Sequence, residues 1–441
     1  MPHRHRPEPA WSEANKENVN SHSAAPHFLT AWRWPEIRLF IGATAFYALA
    51  SRALIMLVNF QVYAWTHSVL ALGLLGLVEA IPALSLALVG GYAADRWNRR
   101  RILLIARLVS VGCALLLAWL AGYTGGGRLS LLYLSVFLIG IARGFADPAA
   151  TAFEAQVVPP ALTINATAWI ASTWLACAAL GPAVGGVVYA RFGGFVSYVA
   201  LAVCFALSWL CTWTIAPKRQ PLPATRETIF RSIATGLRFV RRSQPLLGSM
   251  ALDLFAVLFG GMVALLPVFA SDILHVGPRG LGLLNAAPAV GSLLILLWST
   301  HRPPIRRAGR NLLLAVTGFG ISVVVFAFSR NFALSCVVLF FSGAFDGISV
   351  VIRRAIMRFL SPEELRGRIS AVSWIFIGAS NEIGAFESGL VAHWIGAISC
   401  VWAGGLITLL VAGLTARWAP QLRRLGLDPS RPGGIIEPTL S

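Results

Sequence analysis

The sequence predicts an all-α membrane protein with twelve transmembrane helices in two pseudo-symmetric six-helix bundles. Three observations predict this class: the composition, the recurrence of long apolar segments, and one basic interruption that divides those segments equally. Hydrophobic residues make up 57% of the 441 residues, charged residues make up 12%, and the mean hydropathy is +0.71. Soluble chains usually carry about a quarter charged residues, so a soluble protein is excluded.

Each predicted span is an apolar segment close to the roughly 20 residues that cross a bilayer as a helix. The first six spans lie before the longest polar interruption, and the last six lie after it. An even number of spans places both chain termini on the same side of the membrane. The predicted spans are 38–66, 70–93, 102–122, 130–153, 163–190, 194–215, 246–270, 280–299, 310–328, 332–352, 369–392 and 395–416.

The segments outside the spans complete the predicted organisation. The polar residues 1–36 lack the apolar core of a signal peptide, so we expect a disordered cytoplasmic tail. Residues 37–215 form the first bundle, 216–245 a cytoplasmic linker, 246–418 the second bundle and 419–441 a cytoplasmic tail. Shifting the chain by 203 residues places 137–144 on 340–347 and keeps Pro159 on Pro362 without a gap, which supports two related halves.

The distribution of positive charge predicts the orientation in the membrane. Of the 36 Lys and Arg residues, three lie inside apolar segments and four at one set of span ends, namely Arg128, Arg191, Arg279 and Arg330. All the others lie at the opposite ends or in the linker and tails. Positive residues collect on the cytoplasmic side of membrane proteins. The net charge of +18 therefore reports orientation, and a nucleic-acid partner is not expected.

A charged motif follows the second span. Gly91, Asp95, Arg96, Arg99 and Arg100 have the spacing G-x-x-x-D-R-x-x-R-R, which resembles the loop between helices two and three of major facilitator superfamily transporters. Asn98 stands where that superfamily usually has glycine. The resemblance implies that these five residues gate transport, with the Asp95 carboxylate latching onto a helix N-terminus of the other half. The alternative interpretation of the arginines is a plain positive loop.

The fifth predicted span contains Gly181, Pro182, Gly185 and Gly186. A proline inside a helix bends it, and small residues allow another helix to approach closely. The pattern resembles a signature of the exporters in this superfamily, although ordinary small-residue packing explains it about as well. A small face that includes Gly282 on the eighth span is the expected partner.

Polar and ionisable residues at membrane depth are costly and usually face a cavity or a partner. The repeat places Arg143 of the fourth span on Asp346 of the tenth, which predicts opposite charges across one cavity. The alternative is that Arg143 pairs with Asp147, one helical turn away. The residues predicted to form the substrate and proton pathway are Arg52, Asn59, Gln61, Glu79, Arg143, Asp253, Asp346 and Glu382.

The segments 59–63, 252–261, 346–353, 361–368 and 379–389 narrow the resemblance to the branch of the superfamily related to enterobactin exporters. This resemblance covers nearly all of the chain between the two tails. It implies a secondary transporter, and we expect proton-driven export of a small organic molecule, drug-like or siderophore-like. We expect a lipid-embedded monomer in the bacterial inner membrane, with Asp346, Asp253 and Glu79 as candidate proton carriers.

Other functions remain open at this point. A proton-coupled importer of a small metabolite would share most of these features. A membrane sensor that does not transport would keep the fold but dispense with the latch and the buried charges, so their presence argues against a sensor. An intramembrane enzyme is not expected, because no convergent nucleophile, base or metal set is evident. We expect no metal site and no cofactor, since neither metal-ligand spacing nor a nucleotide-binding P-loop occurs.

The charge distribution makes a topological prediction. Alkaline phosphatase fused after Ser441 should be inactive, and green fluorescent protein at the same place should be fluorescent, because the C-terminus is cytoplasmic. As a control, phosphatase fused after Phe192, at the outer end of the fifth span, should be active. An active phosphatase after Ser441 would contradict the predicted topology.

Overall fold

The computed structural model describes residues 31–218, 229–301, 304–362, 365–427 and 435–436, and this part of the chain is almost entirely helical. Short 3-10 helices, Ala31–Arg33 and Pro160–Leu162, precede α1 and α5. Residues 31–36, predicted as disordered, thus include ordered structure, and residues 1–30 lie outside the described chain. The helices of the first half are α1 Pro35–Thr66, α2 Val69–Arg96, α3 Arg99–Gly122, α4 Arg128–Val157 and α5 Thr163–Thr214.

The second half continues with α6, an amphipathic helix within the predicted linker. The predicted C-terminal tail contains α14 and a two-stranded antiparallel pair of β1 Gly426–Leu427 and β2 Ile435–Ile436. A π-helical turn, Phe269–Ile273, follows α8 directly. The helices are α6 Ile229–Arg242, α7 Gln244–Phe259, α8 Met262–Val268, α9 Gly277–His301, α10 Ala308–Phe328, α11 Phe332–Leu360, α12 Arg366–Ile395, α13 Ala397–Trp418 and α14 Pro420–Arg424.

Polar caps explain where several long helices begin. The side chain of Ser68 accepts a hydrogen bond from the backbone N–H of Ala71 at the start of α2. Asn98 accepts one from the N–H of Arg101 at the start of α3, so the departure from glycine in the charged motif serves as a helix cap. Side-chain oxygens at this position satisfy backbone donors that the first helical turn leaves unpaired.

In the described chain, ten helical segments are long and apolar enough to cross a membrane. The count treats α7, α8 and the π-helical turn as one segment, Gln244–Ile273. One of the ten belongs to α5, which is 52 residues long and has non-helical backbone angles at Gly193 (φ 77°, ψ 179°). A positive φ is readily adopted by glycine because it has no Cβ. The predicted spans 163–190 and 194–215 lie on either side of this break. The 30-residue helix α12 is not among these ten, because several of its residues have side chains outside those that the structure describes.

The buried apolar residues form one cluster at one end of the molecule and two at the other. We call the end that contains Pro35, the linker and Trp418 the proximal end, and the opposite end the distal end. The distal cluster joins both halves, and includes Leu57 of α1 and Leu265 of α8. Towards the proximal end, one cluster contains residues of the first half and another contains residues of the second. The halves are therefore packed together distally and separate proximally.

Two helix pairs hold the halves together at the distal end. α2 packs against α12, and α5 packs against α9. A Cβ added to Gly389 of α12 would lie 2.5 Å from the Cα of Gly73 on α2. A Cβ added to Gly186 of α5 would lie 2.5 Å from the carbonyl oxygen of Pro278. These contacts require glycine, because any side chain would force the helix backbones apart.

The chain after α13 folds back onto the proximal end of the second half. The N–H of Leu427 donates to the carbonyl of Ile305 at 3.1 Å, and the N–H of Gly309 donates to the carbonyl of Leu425 at 3.0 Å. Leu422, Leu425 and Leu427 are buried in the same cluster as Leu246 and Leu312. The segment predicted only as a cytoplasmic tail therefore closes the proximal core of the second half.

Substituting Leu422 should destabilise the protein measurably. This side chain is fully buried, and removing a buried leucine side chain typically costs about 2–5 kcal/mol. Leu422→Ala should lower the midpoint of thermal unfolding in detergent, measured by fluorescence. Leu410→Ala is the matched control, because Leu410 of α13 is 61% exposed on the protein surface. Equal midpoints for the two variants would mean that the C-terminal segment does not belong to the core.

Candidate functional site

The candidate site consists of ionisable residues at membrane depth in the two halves, whose apolar core is shared distally and divided proximally. Polar and charged residues at membrane depth occur on both sides of this division. In the first half they lie on α1, α2 and α4, and in the second half they lie on α7 and α11. A cleft between two helical halves, with ionisable groups on each side, is the usual setting for a transport pathway.

In the first half, Arg143 of α4 forms an ion pair with Glu79 of α2. Its Nε also lies 3.9 Å from Asp147 Oδ2, one helical turn along α4. The Glu79 side chain is 12% exposed, whereas that of Asp147 is 64% exposed. Arg143 thus has two carboxylate neighbours within its own half. The predicted alternative, pairing with Asp147, holds only in part, because Glu79 is the nearer carboxylate.

Three further residues of the predicted pathway lie on α1. The guanidinium carbon of Arg52 lies 4.2 Å from the ring centre of Trp174 on α5, which is a cation–π arrangement. Asn59 is partly buried. Gln61 is only 2% exposed and accepts a hydrogen bond from the hydroxyl of Tyr198, so it packs inside the first half.

The second half contains a more deeply buried group. Asp253 of α7 forms an ion pair with Arg353 of α11, and the two side chains are 8% and 12% exposed. Asp346 lies on the same helix as Arg353 and interacts with it electrostatically. Asp253 and Asp346 both line one narrow cleft, together with Ser349, Phe319 and Phe345.

This arrangement changes the predicted partnership of Arg143 and Asp346. Arg143 forms an ion pair with Glu79 in its own half, and the cation that acts electrostatically on Asp346 is Arg353 of its own helix. Arg353 was not among the predicted site residues. The signal was available, since Arg353 stands seven residues, or two helical turns, after Asp346 and therefore on the same helix face. The side chain of Glu382 lies outside those that the structure describes.

The residues of the charged motif make contacts within the first half. Arg99 donates to the carbonyls of Ala94 and Ala152 at 2.9 and 3.0 Å, and Arg100 donates to those of Thr212 and Trp213. The guanidinium carbon of Arg96 lies 4.6 Å from the ring centre of Tyr92, and a Cβ added to Gly91 would contact nothing.

Among the residues that the structure describes, Asp95 forms no ion pair with the second half. Its side chain is 72% exposed, and its recorded ionic neighbour is Arg99 at 4.0 Å, one turn along the same motif. The predicted latch, in which the carboxylate caps a helix of the other half, is therefore absent from the described residues here.

The glycines of the predicted hinge in α5 face two different helices. Cβ atoms added to Gly181 and Gly185 would lie 2.8 Å from the carbonyl oxygen of Leu49 and 3.0 Å from the Cβ of Ala53, both on α1. Gly186 faces Gly282 of α9, the predicted partner. α5 remains helical through Pro182, because its one recorded non-helical residue is Gly193. The motif thus provides close packing in this structure.

A side-chain hydrogen bond crosses between the halves at the distal end. The hydroxyl of Tyr63, near the end of α1, donates to Oδ2 of Asp272 in the π-helical turn at 2.5 Å. This hydrogen bond lies beside the apolar distal cluster, because Tyr63 is itself a member of that cluster. The distal contact therefore combines glycine packing, apolar burial and a hydrogen bond to a carboxylate.

Comparison with known proteins identifies the family. Residues 46–432 match the family described as transmembrane secretion effector. The chain belongs to this family. It is thereby a multi-pass membrane transporter of the major facilitator superfamily and not an enzyme, which confirms the resemblance found in the sequence.

The chain is also similar to two individual proteins whose names describe them as efflux transporters. The enterobactin exporter of Citrobacter koseri is 26% identical over 391 residues, which cover 85% of this chain and 89% of the relative. The multidrug efflux pump Tap of Mycolicibacterium fortuitum is 28% identical over 375 residues, covering 82% and 90%.

Solved structures share the fold at low sequence identity. A peptide transporter bound to alafosfalin is 14% identical with a TM-score of 0.70, and covers 88% of this chain and 95% of its own. The inward-open conformation of the xylose transporter of E. coli is also 14% identical, with a TM-score of 0.63 and the same coverage. These likenesses establish the transporter fold alone.

The Tyr63 hydrogen bond should help to keep the distal end closed. A hydrogen bond to a charged group typically contributes about 1.5–3 kcal/mol, so Tyr63→Phe should shift the population towards distally open molecules roughly tenfold or more. Spin labels at Arg191→Cys and Arg330→Cys, in a cysteine-free background, would report the distal distance between the halves by double electron–electron resonance. That distance should increase.

Tyr133→Phe is the matched control for this measurement. Its hydroxyl donates to the carbonyl of Ala71 at 2.8 Å, so the lost hydrogen bond joins α4 to α2 within the first half. The control should leave the label distance unchanged. If Tyr63→Phe also leaves it unchanged, the hydrogen bond does not hold the distal end closed.

Proposed function

We propose that this protein is a secondary active transporter that exports a small organic molecule by proton antiport through alternating access. The observation that carries the proposal is the division of the core: the halves are joined distally and separated proximally, with buried ionisable groups on both sides of the gap. Such a molecule can bind a solute from one side and release it to the other by rocking its halves.

The architecture proposed for this function has twelve transmembrane helices in two six-helix halves. Counting α5 as two spans, before and after Gly193, and counting α12 as a span, raises the ten apolar helices to twelve. α12 is 30 residues long, about 45 Å at 1.5 Å per residue, which is enough to cross the hydrocarbon core.

We further propose a monomer in the bacterial inner membrane with its proximal end in the cytoplasm, because the positive residues collect there. The described arrangement is then inward-facing, open to the solute that is to be exported. The exposed latch residue Asp95 suits this state, since the proximal ends are apart. Gly91, Arg96, Arg99 and Arg100 would complete the gate when the proximal ends close.

The charged residues of the first half and those of the second half differ in exposure, so we assign different roles to them. In the first half, Arg143 and Asp147 are partly exposed, so we assign solute binding to them, with Arg52 and Asn59 nearby on α1. In the second half, Asp253 is buried and Asp346 is half-buried in the same narrow cleft, so we assign proton carriage to them, with Glu79 as a further candidate. Carboxylates buried in a membrane protein can take up and release protons as their surroundings change.

Export is favoured over import by the relatives, whose printed functions are enterobactin export and multidrug efflux. Gly181 and Pro182, which resemble an exporter signature, favour the same direction. A proton-coupled importer and a sensor that does not transport remain the alternative functions. Metabolite profiling of the medium from deletion and overexpressing cells would identify the solute.

Proton coupling predicts a defined effect of Asp346→Asn. In everted membrane vesicles with an imposed pH gradient, enterobactin and ethidium serve as probe solutes, and an acid-sensitive dye reports proton movement. The wild type should accumulate at least one probe and dissipate the gradient. Asp346→Asn should bind solute but lose the dependence of transport on pH, because the substituted side chain cannot carry a proton.

Asp147→Asn is the companion variant, since Asp147 is the exposed carboxylate of the first half. It should retain the pH dependence even if solute affinity changes. Accumulation in right-side-out vesicles would instead support an importer, and no movement of probes or of profiled metabolites in either orientation would support a sensor. Retained pH dependence in Asp346→Asn would remove that residue from proton carriage.

A further inference from the structure

Two carboxylates, those of Asp253 and Asp346, lie close enough to interact electrostatically with the single guanidinium of Arg353. Its Nη1 pairs with Oδ2 of Asp253, which joins α11 to α7. Asp346 lies two turns earlier on α11, on the same helix face, and borders the same cleft as Asp253. Asp346 interacts electrostatically with Arg353, and Asp253 interacts with both.

The hydrogen bonding of Arg353 is incomplete. Its Nε is buried and has no hydrogen-bond partner. Buried donors are nearly always paired, and a guanidinium offers five N–H groups in a fixed fork that can serve two carboxylates. The unpaired Nε therefore points to a second acceptor that Arg353 reaches in another arrangement. Asp346 is the other carboxylate among the described residues of this cleft.

The charges of this group do not balance. Two carboxylates and one guanidinium leave one negative charge in excess in the apolar interior, where an uncompensated charge is costly. The helices around α7 and α11 carry further charged or titratable groups, but Arg353 is the cation recorded as acting on Asp253 and Asp346. Those groups are Arg279 and His301 on α9, Arg366, Arg368, Glu382, Glu387 and His393 on α12, Cys400 and Arg417 on α13, and arginines of α6, α10 and α14.

We propose that Asp253, Asp346 and Arg353 form a triad that holds one exchangeable proton, and that Arg353 changes partner when the proton moves. With the proton on Asp346, Arg353 binds Asp253 and ties α7 to α11, as in the structure. When the proton passes from the Asp346 carboxyl to the Asp253 carboxylate, Arg353 pairs with Asp346 on its own helix. The tie between α7 and α11 is then released.

The triad deepens the proposed function, on which its purpose rests. One proton decides whether the ion pair lies between two helices or within one. A coupled group of this kind titrates as a unit, so the proton belongs to the triad and not to either carboxylate alone. Transfer of that proton between the two carboxylates would thereby change the contact between α7 and α11 without any other charged partner.

Counting protonated carboxyl groups tests the triad directly. Infrared difference spectroscopy on protein in lipid nanodiscs at pH 7 detects the carbonyl stretch of a carboxylic acid. Relative to the wild type, Asp253→Asn and Asp346→Asn should each lose one carboxylic-acid band, because the remaining carboxylate is balanced by Arg353. Arg353→Gln should gain one band, because both carboxylates then need a proton.

Conservative and neighbouring variants control this count. Arg353→Lys keeps the positive charge and should match the wild type, whereas Glu36→Gln changes a carboxylate paired with Lys218 at 2.5 Å and should also match it. Glu382→Gln should leave the band in place. The triad is wrong if the band persists in either asparagine variant, or if Glu382→Gln removes it. The asparagine variants decide the matter even if Arg353→Gln fails to fold.

A second measurement tests the change of partner. Asp346→Asn mimics the proton on Asp346 and should keep the label distance between Arg191→Cys and Arg330→Cys at its wild-type inward-facing value. Asp253→Asn mimics the proton on Asp253 and should shift that distance. Identical distances in both variants would overturn the exchange. Neither measurement involves transport. Absence of proton antiport in vesicles would therefore not contradict the triad, and absence of the triad would not contradict proton antiport.

Discussion

The absence of water inside a membrane is the constraint on which this structure depends. Backbone polar groups there must find partners within the protein, so the spans are helices that satisfy their own hydrogen bonds. The same constraint acts on side chains. The hydroxyls of Ser135, Ser322 and Thr408 each donate to the carbonyl four residues earlier in their own helix. Charged side chains cannot be satisfied in this way, and they therefore pair with each other between helices.

Because lipid is as apolar as a leucine side chain, the two halves cannot be held together by apolar burial alone. Close packing takes that role at the distal end, where glycines bring α2 onto α12 and α5 onto α9. A contact made of small residues has few specific bonds to break. That property suits halves that must separate and rejoin, whereas a large interlocked interface would favour a single arrangement. The Tyr63 hydrogen bond to Asp272 adds a polar contact at the edge of this packing.

The two halves resemble each other in sequence and differ in how they satisfy their charges. The first half pairs Arg143 with Glu79 between α4 and α2, and leaves Asp147 exposed. The second half pairs Asp253 with Arg353 between α7 and α11, and keeps both side chains shielded. The two halves thus carry charged groups of different exposure, the first group partly exposed and the second more deeply buried. This asymmetry supports the assignment of binding to one half and proton carriage to the other.

The sequence by itself determined the class of the protein, the approximate ends of its spans and the residues worth attention. Apolar length, arginine distribution and the Asp95 motif are local properties, so they can be read along the chain. It also marked Gly186 and Gly282 as partners, because small residues indicate where helices approach. It could not determine that Arg143 binds Glu79, or that Gln61 is buried against Tyr198, since those partners are distant in the chain. Only the tertiary structure shows that the C-terminal segment closes the proximal core of the second half and that Arg353 forms an ion pair with Asp253. The physical reason is that pairing of buried charges depends on helix rotation and neighbour choice, which packing fixes and sequence spacing does not.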